Sequence, residues 1–150
     1  MDSNLAADAL KTPMPKLWIK DRIIRSVALR RGEVVLRADF EHMGSASQLS
    51  RALRQVVLAG KLVRLGYGVY ARAEPSVLSG RAIPRQPLES LAAEALQRLN
   101  VQAVPGRAGR DYASGSTGQL PMRATFSTGR RRISRRLTVG KRSVHYENDY

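Results

Sequence analysis

An α+β fold is what the sequence predicts, and three observations predict it. Segments 16–31, 45–60 and 87–100 repeat their apolar positions at helical spacing. Short valine- and leucine-bearing runs lie at 33–36, 61–65 and 69–73, between turn residues. Residues 122–148 break into strand-like runs at glycine turns. A chain of 150 residues suits one domain or two small ones.

Residues 1–15 read as a flexible arm, with a short helix around Leu5 to Leu10 and proline punctuation at Pro13 and Pro15. The arm lacks a basic start followed by an apolar run, so it is not read as a signal peptide. From Lys16 to Arg31, Leu17, Ile19, Ile23, Ile24, Val27 and Ala28 form one helical stripe, with Lys20, Arg22, Arg25 and Arg30 largely off it. Gly32 stops that helix. Glu33 to Leu36 is a short strand, and Ala38 to Met43 a short helix with Phe40 and Met43 on one face. After Gly44, Ser45 and Gln48 stand at the spacing of a capping box, in which hydroxyl and amide satisfy open backbone amides at a helix start. Leu49, Ala52, Leu53, Val56 and Val57 give that helix its apolar side, Ser47, Gln48, Arg51, Arg54 and Gln55 its polar side, and Gly60 its end. Two strands follow, Lys61 to Leu65 and Val69 to Ala73, joined by Gly66-Tyr67-Gly68, whose glycines permit a tight hairpin. Strand alternation turns Leu62, Leu65, Val69 and, as an open alternative, Tyr70 toward the core, in a hairpin whose register the sequence leaves open. Helix, strand, helix, turn, helix, hairpin is the order of a winged helix-turn-helix, here over 16–74 with residues 66–68 as the wing tip.

Residues 75–86 hold Pro75 and Pro84 without periodicity and read as a linker. The remainder, 87–150, reads as a small basic region of one helix and an antiparallel sheet. Its helix runs from Pro87 to Asn100 on a stripe of Leu88, Leu91, Ala92, Ala95, Leu96 and Leu99. Val101 to Val104 is a candidate strand, and 105–121 is either loop or a short irregular helix around Tyr112. The sheet is expected as a β-meander of Ala124 to Ser127, Ile133 to Val139 and Ser143 to Tyr146.

Charge points to the partner. The chain carries 26 Lys+Arg against 12 Asp+Glu, a net charge of +14, and most of the basic residues are arginine. A polyanion relieves the self-repulsion of such a body, and the arginine fork matches phosphate and guanine edges. Double-stranded DNA is therefore the expected partner. On a helix lying in the major groove, Ser47, Gln48, Arg51, Arg54 and Gln55 would face base edges. Gln suits adenine and Arg suits guanine. Lys61, Arg64, Tyr67 and Arg72 of the hairpin would meet phosphate or the minor groove. The segment 130–136 packs Arg130, Arg131, Arg132, Arg135 and Arg136 into seven residues, a run suited to DNA backbone, to RNA or to an acidic protein face.

Other chemistry finds little support. With no cysteine there is no disulfide or thiolate site. The two histidines, His42 and His145, belong to no motif, and no phosphate-binding glycine loop, zincin motif or nucleophile elbow occurs. Asp39, Glu41 and Asp111 are the acids a metal-dependent nuclease would need, but their spacing is that of surface acids. The expectation is a non-enzymatic protein without catalytic residue, metal or cofactor, cytoplasmic and without a membrane span. The oligomeric state is not readable.

Three stretches carry a family resemblance: Ala38-Asp39-Phe40 through Leu53; Gly60-Lys61-Leu62-Val63-Arg64-Leu65-Gly66-Tyr67-Gly68-Val69-Tyr70; and Ser127-Thr128-Gly129-Arg130-Arg131-Arg132 through Arg142. Together they resemble the AbiEi group of antitoxins, transcriptional regulators of type IV toxin–antitoxin operons. The resemblance implies promoter binding with autorepression. It also implies a nucleotidyltransferase-like toxin as operon partner, counteracted without a stable complex. The competing expectation is a basic interaction module for RNA or an acidic protein.

Overall fold

The computed structural model describes residues 18–106, 115 and 124–147. Among them are three α-helices, one 3-10 helix and eight strands in two sheets, an α+β fold. The expected helices near Leu5 and Tyr112 lie outside the described residues.

Ile23 and Val27, one helical turn apart, are the buried side of α1 (Ile19–Leu29). After the Gly32 turn comes β1 (Val34–Leu36), all of it buried, then a 3-10 helix (Arg37–Met43) that seats Phe40 in the core. Helix α2 (Ala46–Leu58) starts on the expected capping box: Ser45 Oγ accepts from the Gln48 amide at 3.2 Å, and Gln48 Oε1 accepts from the Ser45 amide at 2.9 Å. Strands β2 (Leu62–Gly66) and β3 (Val69–Pro75) follow, and the sheet order is β1-β3-β2, antiparallel throughout. Gly68, at the end of the hairpin turn, has φ +69, a conformation that favours glycine.

Both faces of this first sheet are covered. Val35 and Leu62 join Ile23, Val27, Phe40, Leu49, Ala52, Leu53 and Val56 on the side of α1 and α2. Val34, Leu36, Leu65, Val69 and Ala71 face the other way. They pack with Leu88, Leu91, Ala92, Ala95 and Leu96 of α3 (Leu88–Arg98), with Phe126 and Val144 of the second sheet, and with Leu137 just before its strand Thr138–Val139. The expected inward set of the hairpin therefore divides: Leu62 belongs to one core, Leu65 and Val69 to the other. Polar ties reinforce the second contact. Glu94 of α3 accepts the amides of Glu33 and Val34, and a Cβ on Gly32 would crowd that carboxylate at 3.0 Å. Asp39 accepts the Leu36 amide at 2.8 Å and pairs with both Arg30 and Arg98.

Three local expectations need correction. The stretch read as linker contains β4 (Ala82–Pro84), which pairs antiparallel with the end of β3. Prolines are tolerated there because they sit at the ends of the pairing. The strand expected at 101–104 is instead β5 (Val104–Pro105). The second sheet is not an antiparallel meander. Its order is β5-β6-β8-β7, with β6 (Ala124–Ser127) parallel to β8 (Arg142–Glu147) and β7 reduced to Thr138–Val139. Residues 131–137 form no strand. Six consecutive residues there include four arginines, whose mutual repulsion opposes side-by-side pairing in a ladder.

Candidate nucleic-acid interface

The capping box and the buried stripe of α2 settle what its other side can do. Leu49, Ala52, Leu53 and Val56 face inward, leaving Ser47, Arg51, Arg54, Gln55 and Leu58 exposed. Gln48 is exposed too, but its side-chain oxygen already accepts the Ser45 amide. A two-point contact with adenine needs that oxygen and the amide nitrogen together, so Gln48 serves first as a helix cap.

Strand alternation places Arg64 and Tyr70, cross-strand partners, on the sheet face toward α2. With Arg37, Ser50, Arg54 and Tyr67 they line a groove of about 500 Å³ between helix and hairpin. Tyr67 at the turn is 79% exposed. Lys61 is exposed at the opposite end of β2, where its amide donates to the Val56 carbonyl.

Arg72 lies elsewhere. It is on the same strand face as Tyr70 but farther from the turn, beneath the end of α1. Its Nη2 donates to the Val27 and Arg30 carbonyls at that helix terminus, the first of which also accepts the Arg30 amide at 3.2 Å, and Nε pairs with Glu33 at 3.7 Å. Its side chain is 14% exposed, so this arginine is occupied within the fold.

The arginine segment, distant in sequence, packs against the hairpin turn. Arg135 Nη1 donates to the Tyr67 carbonyl at 2.9 Å, and a Cβ at Gly66 would collide with the Arg136 carbonyl oxygen. Arg130, Arg131, Arg132 and Arg136 are exposed, while Arg135 is half-buried. Arg131 donates to the Asn100 carbonyl at 3.2 Å. Tyr67 lines both the groove beside α2 and a second hollow formed with residues 131–136, so the two basic regions adjoin. Under them, the Tyr146 hydroxyl donates to the Arg135 carbonyl at 2.6 Å. Burial raises the Tyr146 pKa, against the opposing pull of the Arg135 charge.

Residues 44–73 contain no Asp or Glu, and neither do residues 124–146. Glu33 pairs with Arg72 and Arg85, Asp39 with Arg30 and Arg98, and Glu89 with Arg142. Burial alone would raise the Glu89 pKa, but the Arg142 hydrogen bond and charge, with a backbone hydrogen bond, bring it below the usual carboxylate value. Among the described residues, no group of three or more His, Asp or Glu side chains is placed to hold a metal ion. Nor is any helix among them long and apolar enough to cross a membrane.

Sequence reasoning missed Arg37. Its guanidinium donates to Ser50 Oγ at 3.0 Å and to the Ala46 carbonyl at 2.8 Å, while its amide donates to the Gly68 carbonyl at 2.9 Å. It thus ties the start of α2 to the hairpin turn. Nothing local marks it, because its partners lie 9, 13 and about 31 residues away.

No curated protein matches the chain. A family model matches residues 19–149, nearly all of the described fold and both basic surfaces. By that match the chain belongs to DUF6088, a family of unknown function.

Proposed function

We propose that residues 19–75 act as a winged helix-turn-helix and that the protein binds double-stranded DNA sequence-specifically, as a transcriptional repressor. The order α1, β1, 3-10 helix, α2, β2, β3 and the β1-β3-β2 sheet support the fold reading. In it, α2 is the recognition helix and residues 66–68 the wing tip. The observation that carries the proposal is the junction at Tyr67, where the acid-free groove of α2 and the hairpin meets the acid-free arginine segment. Such a surface suits a duplex: Ser47, Arg51, Arg54 and Gln55 toward base edges, and Arg64, Tyr67, Arg130, Arg132 and Arg136 toward phosphates. The AbiEi resemblance extends the reading to autorepression of a toxin–antitoxin operon, with this chain as antitoxin.

Gel shifts on the gene's own upstream DNA test the proposal. Specific binding is expected to exceed binding to random duplex by at least about 10³-fold. Arg51→Ala is expected to relax preference at one base pair by about 1–3 kcal/mol while random-duplex affinity falls little. Equal affinity for both DNAs would remove the repressor reading.

A further inference from the structure

Arg135 belongs to a run of exposed arginines, yet its guanidinium turns toward the protein. Nη1 donates to the Tyr67 carbonyl at 2.9 Å, while the Arg135 carbonyl accepts the Tyr146 hydroxyl at 2.6 Å. The next carbonyl, that of Arg136, lies against Gly66. Leu137 then buries completely, and its carbonyl accepts the Val144 amide at 2.9 Å. Residues 135–137 are therefore held by β8 on one side and touch the hairpin turn on the other. The turn is also held from the front, where the Arg37 amide donates to Gly68.

A hairpin turn without tertiary contacts frays, and ordering it at the moment of binding lowers affinity. We propose that Arg135 and Tyr146 are positioning residues. Tyr146 fixes the backbone of Arg135, and Arg135 fixes the wing tip, so that Tyr67 and Arg64 meet a duplex already ordered. The inference rests on the DNA-binding reading above, and it separates Arg135 from Arg130 and Arg136: they contact phosphate, whereas Arg135 acts through Tyr67. The two roles have different salt signatures. Each phosphate contact contributes about 0.9 to the slope of log affinity against log salt, whereas a strut contributes nothing to it.

The test begins on the free protein, by amide hydrogen exchange at Arg37, whose N–H bonds the wing-tip carbonyl. Tyr146→Phe and Arg135→Met are each expected to speed that exchange about 3–10-fold, the loss of roughly one hydrogen bond. Arg135→Lys, which keeps a donor at similar reach, is expected to restore most of the protection. Each variant is then titrated with the upstream duplex between about 50 and 200 mM salt. Tyr146→Phe is expected to weaken binding by a similar factor at unchanged slope. Arg136→Ala is expected to leave exchange alone and to lower the slope by about 0.9. Wild-type exchange in both Tyr146→Phe and Arg135→Met overturns the proposal. So does an Arg135→Met protein with wild-type exchange and a slope lower by about 0.9, which is the signature of a phosphate ligand. Faster exchange in variants of a protein that binds no duplex overturns the DNA reading while leaving the strut in place.

Discussion

Replacing Arg72 by alanine separates a structural arginine from a DNA contact. The Arg72 side chain is 14% exposed, donates to two carbonyls at the end of α1, and pairs with Glu33, itself 16% exposed. Removing it takes the side-chain donor from both carbonyls, of which Val27 keeps the Arg30 amide, and leaves Glu33 with the more exposed Arg85, 3.2 Å away. Hydrogen bonds from a charged donor contribute about 1.5–3 kcal/mol each, and breaking a fully buried ion pair costs about 3–5 kcal/mol. The partial exposure of this pair lets water recover part of that loss, so a destabilisation of about 2–4 kcal/mol is expected. For a chain of this size that corresponds to a melting temperature lower by roughly 5–15 °C. Arg72→Lys keeps the charge without the fork, and about half the effect is expected. Thermal unfolding followed by circular dichroism reads both variants. If Arg72→Ala melted within about 2 °C of the parent yet bound DNA weakly, the assignment of Arg72 to the interior would be wrong.

Other perturbations probe the remaining links. The double variant Arg130→Ala/Arg136→Ala is expected to lower the salt slope of duplex binding by about 1.8, making binding about 12-fold less salt-sensitive between 50 and 200 mM. The ratio of specific to random binding should hold, and a filter-binding titration reads both quantities. Glu89, with its lowered folded-state pKa, contributes stability that is present above pH about 4.5 and is lost as pH falls through that lower value. Glu89→Gln is therefore expected to be less stable at neutral pH and to show a shallower acid limb in a denaturation series from pH about 6 to 2. Leu53→Ala, at the centre of the α1–α2 core, is expected to cost about 2–5 kcal/mol in urea unfolding, with an unaltered m-value.

What the sequence disclosed was local. Capping chemistry at Ser45 and Gln48, the helical stripes of α1, α2 and α3, and the glycines around Tyr67 are short-range signals, and each marks an element found in the structure. Pairings between distant segments carry no such mark. The parallel register of β6 and β8 joins residues about 20 apart, and neither strand's composition distinguishes a parallel from an antiparallel neighbour. Arg72 shows the same limit on the scale of one side chain. Its alternation with Ala71 was readable, but the helix end lying over that face was not. Gln48 has the chemistry of a base reader and of a cap; the sequence offered both roles, and in the fold its oxygen accepts the Ser45 amide. The approach of the arginine run to Gly66 depends on a contact about 70 residues long in sequence, beyond the reach of any periodicity.

The apolar covering on both sides of the first sheet has a consequence for how the molecule can be divided. A fragment ending at Pro75 would bare Val34, Leu36, Leu65, Val69 and Ala71 to water in one contiguous strip. Strips of that kind promote self-association, so such a fragment would precipitate or pair with its own copies rather than persist as a monomer. The helix that faces outward is thus indebted to residues beyond position 87, and grafting it into another protein would require carrying that roof along.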